Sequence, residues 1–553
     1  MKSILCCPKH HTFDLVGSCV VAACTTCYNS CYYTGVRQTL KRKIIRILLS
    51  GRIVVAALAG MVLTGCMVGP EFHRPEAPKT TSYTTDRLPQ ETASAPGAGG
   101  AAQRFVSGRD IPAEWWTLFH SRELDRLIRE ALADSPTLAA AQAALRQAQE
   151  NLTAQTGVVL LPAVDAKASA AREKFSGAGF GQPGKGELLT LYNASVDVTY
   201  SLDLFGGGRR ELEALRSQVD YERFQMEGAH LTLTSNIVTA AVKEASLRAQ
   251  IQSTLDIVAD QDKQLDVVER QFQLGGVSRS DVLAQRAQLA QTRATLPPLQ
   301  KALAQTRHLL AMLAGRLPGE AVLPEFFLDN MQLPQELPVS LPSSLVRQRP
   351  DVCASEELLH AASAQIGVAT ANLYPQITLS GSYGSETTNA GNLFGNGTSV
   401  WSVGAGLLQP LFHGGELTAK RRAAVAAYDQ AVAQYRETVL LAFQNVADVL
   451  RALEDDARTL KAQAEAEAAA RDTLDLTEKQ FNLGAVSYLS LLSAQRQYRL
   501  ARFLLVQAQA TRFADTAALF QALGGGWWNR SPEGLSANVM KNQQLITTEK
   551  NNQ

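Results

Sequence analysis

Few residues in this chain have the types and spacing that chemistry needs. Cys24-Thr-Thr-Cys27 has the spacing of half a zinc or redox site, since two thiols three residues apart can share one metal or one disulfide. No second pair or His cluster follows at ligand spacing. Cys6, Cys7, Cys19, Cys24, Cys27 and Cys31 all lie near the start; Cys66 and Cys353 stand apart, so no disulfide framework exists. Cys353 reads as a small buried apolar side chain. Leu204-Phe-Gly-Gly-Gly208, between a strand and a helix, invites comparison with a phosphate-cradling loop. No Gly-Lys-Ser/Thr follows it, and a later copy reads Phe412-His-Gly-Gly415, so the small residues there serve a change of chain direction. His10 and His11 stand near the start, while His73, His120, His230, His308, His360 and His413 share no ligand or catalytic spacing. No nucleophile has a base in sequence reach of a known pattern. The chain therefore reads as a non-enzyme with no cofactor and no metal.

Cys66 is different. Residues 1–65 hold eight Lys/Arg against one acid, Asp14; an apolar run follows from Ile53 to Leu63, then Leu63-Thr64-Gly65-Cys66. Basic region, apolar region and small-residue ending make a secretory signal. Eleven apolar residues are too few for a membrane-spanning helix. The ending resembles the bacterial lipobox, which implies that Cys66 becomes the lipidated first residue. Met67 follows it instead of the Asp that marks inner-membrane retention, so the resemblance implies an outer-membrane lipoprotein. The charge pattern also places the natural start near residue 35, with the Cys-rich segment before it.

With the leader removed, 45 basic residues face 51 acidic ones, a net charge of −6. A mildly acidic chain gives no support to nucleic-acid binding. Composition leans helical, with 46% hydrophobic and 19% charged residues.

The elements that follow come twice. Gln271-Phe-Gln-Leu-Gly275 recurs as Gln480-Phe-Asn-Leu-Gly484, Leu204-Phe205 as Leu411-Phe412, Leu161-Pro162 as Tyr374-Pro375, and Ser135-Pro136 as Arg349-Pro350. The offsets are 209, 207, 213 and 214 residues. Four landmarks in one order at nearly one spacing read as an internal two-fold repeat of a large unit. Each half runs helix, strand, Gly-rich loop, strand, Gly break, very long helix, Gly turn, helix.

Arg209 to Leu274 contains no Pro and one Gly, as one long helix requires, and Glu416 to Leu483 gives its equal. At 1.5 Å per residue, each reaches about 100 Å. Val425, Tyr428, Val432, Tyr435, Val439, Val446, Val449, Leu453 and Leu460 step by threes, fours and sevens, a coiled-coil stripe. Shorter helices from Thr137 and Ser278 line the long one end to end, and Pro297-Pro298 predicts a break in the second.

In Tyr192 to Leu204, apolar and polar side chains alternate without error. Val164 to Ala170, Gln376 to Tyr383 and Trp401 to Leu407 do the same, each about as long as a tilted membrane strand. The connections Arg172 to Thr190 and Ser385 to Ser399 are rich in Gly, Ser and Asn. Four strands cannot close a barrel, and hydrocarbon tolerates no open edge, so copies must share one.

On these residues, together with Gly69-Pro-Glu-Phe-His-Arg-Pro-Glu76, Trp115-Trp116-Thr-Leu-Phe119 and Ala522-Leu-Gly-Gly-Gly-Trp527, the chain resembles the TolC-like outer-membrane factor family, in its lipidated efflux branch. The resemblance implies an α+β membrane protein. Its homotrimer joins a twelve-stranded transmembrane β-barrel, four strands per protomer, to a twelve-helix periplasmic α-barrel and a mixed equatorial domain. It implies a passive exit duct of a tripartite pump, docking to a periplasmic adaptor and an inner-membrane transporter of RND type.

Carried over by position, the tips Gly275, Gly276, Val277, Gly484, Ala485 and Val486 meet the adaptor. Leu489, Ser490, Ser493 and Arg496 line the gate, with Leu489 as its apolar plug and Arg496 as its holding cation. Relatives place one or two Asp where this chain has Ser490 and Ser493. Asp281 beside the first tip is a candidate replacement, and equally a first-turn acid favouring the helix dipole. Two alternatives stay open: the same channel serving type I protein secretion, and a periplasmic coiled-coil adaptor lipoprotein. The expected organisation is leader 1–65, lipidated Pro-rich tether 66–113, first repeat 114–320, equatorial linker 321–348, second repeat 349–526 and polar tail 527–553.

Overall fold

The computed structural model describes residues 67–175 and 187–530. The leader, Cys66, the middle of the first strand-to-strand loop and the tail after 530 lie outside the described residues. None of the described helices is long and apolar enough to cross a membrane.

Two short strands, β1 (Arg104–Ser107) and β4 (Glu336–Val339), pair in parallel. Four longer ones, β2 (Ala163–Phe175), β3 (Glu187–Leu202), β5 (Gln376–Thr387) and β6 (Ser399–Leu408), form one antiparallel sheet in the order β2-β3-β5-β6. Its pairing explains the alternation. Val164, Val198 and Val403 share one face with Ala166, Val196, Tyr383 and Trp401; Asp165, Asp197, Ser382 and Ser402 share the other. The first hairpin is longer than the sequence predicts, because Arg172↔Thr190 through Phe175↔Glu187 continue the ladder into the expected loop. Alternation lapses at Ala170-Ala171, yet backbone pairing does not need an apolar face.

The helices are α1 (Arg122–Asp134), α2 (Pro136–Leu160), α3 (Gly207–Gln273), α4 (Arg279–Ala294), α5 (Leu296–Leu313), α6 (Pro342–Gln348), α7 (Pro350–Ala371), α8 (Glu416–Asn482) and α9 (Tyr488–Ala522). Both long helices, α3 and α8, have 67 residues. The break at Thr295 between α4 and α5 precedes Pro297-Pro298, whose missing amides and ring clashes prevent a continuous ladder. Asp203 fills the role an anion would have at the Gly loop: its carboxylate accepts from the amides of Gly208 and Arg209, 3.2 and 2.9 Å away. A helix N-terminus already holding a carboxylate has little need of a phosphate.

The main core lies at mid-height, where α1, α3, α8 and α9 meet the β1/β4 pair. Trp115, Phe119, Ile128, Ile237, Val446, Phe513 and Phe520 are buried there, and Trp115 stacks on Phe520 at 5.2 Å. Residues 67–103 are extended, as their Pro content predicts, but they are docked and not a free tether. Val68 N donates to Phe205 O (3.1 Å), Phe72 stacks on His360 at 4.3 Å, and Tyr83 Oη donates to Ser340 O (2.9 Å). The first residues of the expected tail are docked too: Trp527 Nε1 donates to Gln348 O, and Arg530 pairs with Glu227.

Candidate functional site

The far ends of the long helices carry the residues singled out by sequence. At the first tip, Gly276 N donates to Gln271 O (2.8 Å) and Gly275 N to Phe272 O (3.0 Å), with Gly275 at φ 78°. At the second, Ala485 N donates to Gln480 O and Gly484 N to Phe481 O, both 2.9 Å, with Gly484 at φ 73°. The same two bonds close both helices, and both need the left-handed conformation that glycine adopts without strain. Gly275, Gly276, Gly484 and Ala485 are exposed, whereas Val277 and Val486 pack against a small core of Val268, Val282, Phe481, Tyr488, Leu491 and Leu492. Leu274 and Leu483, just before each glycine, are 86% and 84% exposed. The sequence places both at the ends of the long helices but not among the contact residues of the tips.

The return helices start alike but not identically. Ser278 caps α4, and Asp281 completes a capping box: its carboxylate accepts from Ser278 N (2.9 Å) and Ser278 Oγ (2.6 Å). At the second tip Ser487 Oγ accepts from Ser490 N (3.3 Å), and Ser490 stands where Asp281 stands in the first. The Asp281 carboxylate is thus held by its own cap.

Along α9, Leu489, Ser490, Ser493 and Arg496 are all exposed, and Leu489, Ser493, Arg496 and Leu500 repeat at four, three and four residues. They form one stripe turned away from the protomer's own core. Leu489 is 71% exposed. Arg496 Nε donates to Gln288 Oε1 of α4 (2.8 Å), so it ties the two hairpins together. Arg499 Nη1 does the same to Thr292 Oγ1 (2.9 Å), and Tyr488 Oη donates to Gln285. Burial, followed by the neighbouring Arg496, lowers the Arg499 pKa; burial, followed by Asp281, raises that of Tyr488. Arg286 pairs with Glu269 at 2.7 Å.

Sequence reasoning missed the layer beneath this stripe. Gln261, Gln285, Gln288, Thr292 and Gln495 are buried between α3, α4 and α9. The signal was present: Gln285, Gln288 and Thr292 recur at three and four residues where a core would carry leucine. Also missed was Asp515, which hydrogen-bonds Asp456; burial and that shared contact push its carboxyl up to about 8.

At the opposite end, the apolar face of the sheet is open to the surroundings: Tyr383, Trp401, Val403 and Leu407 are exposed. The other face carries the Lys167–Asp197 pair (3.0 Å), with Ser382 Oγ donating to Asp197 (2.6 Å). The sheet thus has one apolar, open face and one charged face, and its strands β3 and β6 lead into the two long helices.

Comparison with known proteins agrees. Residues 127–316 and 341–525 match the outer membrane efflux protein family. The chain is 31% identical over 422 residues to the pyoverdine export outer membrane protein OpmQ of Pseudomonas aeruginosa, covering 75% of this chain and 87% of that one. It is 29% identical over 478 residues to the toluene efflux pump outer membrane protein TtgC of Pseudomonas putida, covering 86% and 96%. Among solved structures, the outer membrane protein VceC of Vibrio cholerae superposes with a TM-score of 0.70 at 27% identity, covering 75% of this chain and all of that one.

Proposed function

The chain belongs to the outer membrane efflux protein family, and on that premise we propose that three copies form a closed duct whose gate lies at the second helical tip. Members of this family are transport components and not enzymes, and this chain is an outer-membrane channel of an efflux pump.

One observation carries the finer reading. A four-stranded sheet with an exposed apolar face and two unpaired edges runs directly into two 67-residue helices with matching tips. Hydrocarbon excludes an open edge, so copies share the barrel, and three give twelve strands. Each copy brings four helical columns: α3, α8, α2 with α4 and α5, and α7 with α9. An internal duplication accounts for the two matched halves. Cys66 supplies a lipid anchor at the outer membrane. The tips, with Leu274 and Leu483 now beside the six sequence candidates, meet a periplasmic adaptor and, through it, an inner-membrane transporter of RND type. Leu489, Ser490, Ser493 and Arg496 line the closure, and Arg496 holds it by bonding Gln288 across the hairpins.

The test is single-channel conductance in planar lipid bilayers, with mass by light scattering, for wild type and for Leu489→Ala with Arg496→Ala. Leu489 is mostly exposed, so its truncation perturbs the fold little and the current reports the pore. A trimer with small, flickering currents that grow several-fold in the variant is the expected result. A monomer with no conductance in either form sinks the proposal. A trimer whose conductance is unchanged in the variant moves the gate elsewhere.

A further inference from the structure

We propose that β6 pairs antiparallel with β2 of the next copy at the register setting Leu407 opposite Ala166, and that Phe412 seats on Leu161 of that copy. The inference rests on the shared barrel proposed above and names its seam.

The middle of the sheet supplies the template. Ladder β3–β5 is where the first half of the chain meets the second, with Tyr200 opposite Leu379 and Val196 opposite Tyr383. Just below it Phe205 stacks on Tyr374, centroids 4.8 Å apart. The landmarks Leu204-Phe205 and Leu411-Phe412 lie 207 residues apart, and Leu161-Pro162 and Tyr374-Pro375 lie 213 apart. Moving Tyr200 forward by 207 gives Leu407, and moving Leu379 back by 213 gives Ala166. Val196 and Tyr383 become Val403 and Ala170 in the same way, and Phe205 on Tyr374 becomes Phe412 on Leu161. In this chain β2 and β6 are the two outer strands, too far along the order to meet each other. The carried-over pairing therefore joins two copies.

Two features of the sheet support this register. First, Leu407 and Val403 lie on the apolar face of β6, and Ala166 and Ala170 on that of β2. A slip of one residue would turn one strand's apolar side chains inward, so only even slips compete. Second, the ladders run from Ala166 to Val196, Tyr383 and Trp401, and the seam then reaches Arg172 of the next copy, six residues on. Six residues per copy over twelve strands, with about 3.3 Å per residue and about 4.8 Å between strands, tilts the strands by about 46°, close to the usual barrel range. A slip to Leu407 opposite Ala168 also keeps the faces but raises the tilt to about 54°, and one to Leu407 opposite Val164 lowers it to about 35° by the same spacings, so the tilt disfavours the first and the carried-over landmarks decide against the second.

The bare surfaces lie where this seam needs them. Phe412 is 86% exposed, whereas its counterpart Phe205 is covered by Tyr374. Val158, Leu160 and Leu161 are exposed at the end of α2. Helix α7 packs on both α3 and α8, while α2 packs on α3. Of its 25 residues, α2 buries only Leu138 and Ala148, and residues 416–430 of α8 bury none. Carried over, α7 on α3 becomes α2 of the next copy on α8, covering both faces at once. Leu161 is smaller than Tyr374, so an aromatic stack inside the copy becomes an aromatic–aliphatic contact between copies.

Paired cysteines in the full chain test this. Facing residues of an antiparallel pair lie within disulfide reach, and Cys353 is buried with its thiol pushed up to about 12, so it does not compete. Ala166→Cys with Leu407→Cys, oxidised in outer-membrane vesicles, is expected to give covalent dimers and trimers on denaturing gels, while each single variant gives none. Ala168→Cys with Ala405→Cys, the neighbouring pair of the same register, repeats the measurement should the first variant fold poorly. Stronger linking by Leu407→Cys with Ala168→Cys, or with Val164→Cys, than by either matched pair overturns the register. A trimer by light scattering with no interchain link from either matched pair overturns the β6–β2 seam and leaves the trimer standing. A monomer by light scattering overturns both.

Discussion

At the scale of single residues, the acidic groups of this chain sit where they serve the fold. Asp281 is fastened into a helix cap, and its equivalent in the second half, Ser490, carries no charge. Asp515, by contrast, holds a proton. Burial and its hydrogen bond to Asp456 raise its pKa to about 8, so between the unfolded value of about 4 and that point the folded state binds more protons. Stability then falls as pH rises through this window. Asp515→Asn mimics the protonated form at every pH. Its thermal midpoint in detergent should match wild type near pH 4 and exceed it near pH 8, whereas a gap independent of pH would remove the shared proton. Leu489, Ser493 and Arg496 were singled out by resemblance to the family, and in the structure they share one exposed stripe of α9. The Asp456–Asp515 contact was not legible in the sequence, because it joins two helices 59 residues apart in sequence with no periodic trace.

At the scale of elements, sequence read best where one rule governs many residues. Long helices without Pro, a break beside Pro297-Pro298 and strands with a clean two-residue alternation all stand in the structure close to their expected bounds. The misses share a cause. Residues 172–175 and 187–190 look like loop because their side chains lack a pattern, but strand pairing is a backbone matter. Gln285 and Gln288 went unread because polar residues at helical spacing do not announce a core, yet they fill a buried seam. The tips allow a direct test of the turn chemistry. Gly484 sits at φ 73°, where a Cβ costs about 1–2 kcal/mol. Gly484→Ala should therefore speed hydrogen exchange at the second tip about five- to thirtyfold and leave the first tip unchanged. Ala485→Gly should do far less, since Ala485 already tolerates a side chain. Equal effects from both would mean that the bonds to Gln480 and Phe481 do not hold the tip.

At the scale of the whole chain, the stretch after the proposed anchor works as a strap. Its composition reads as a tether because extended Pro-rich backbone has no period; its contacts are with residues hundreds of positions away. Val68 accepts from Arg210 on α3 (3.3 Å), Phe72 and Arg74 meet His360 and Glu356 on α7, and Asp86 pairs with Arg451 on α8 (3.1 Å). Further along, Thr92 and Gln103 accept from the buried Arg512 of α9 (3.1 and 2.8 Å). The strap thus touches α3 from the first half and α7, α8 and α9 from the second, and ties the halves together. Gly69 marks how close it lies, since a Cβ there would strike the backbone of Gly367. His360 adds a pH dependence. Hydrogen bonding to Glu357, and then to Glu213, raises its pKa above the usual value. The stability it lends is therefore full below about pH 6.5 and lost as pH climbs through the folded value. Phe72→Ala with Arg74→Ala should open residues 70–90 to limited proteolysis, faster at pH 8 than at pH 6 in wild type and fast at both in the variant. Single-channel currents should stay as in wild type, because no strap residue lines the gate stripe. A variant that keeps the protease resistance of wild type would show that the strap is held by its later contacts with α9 alone.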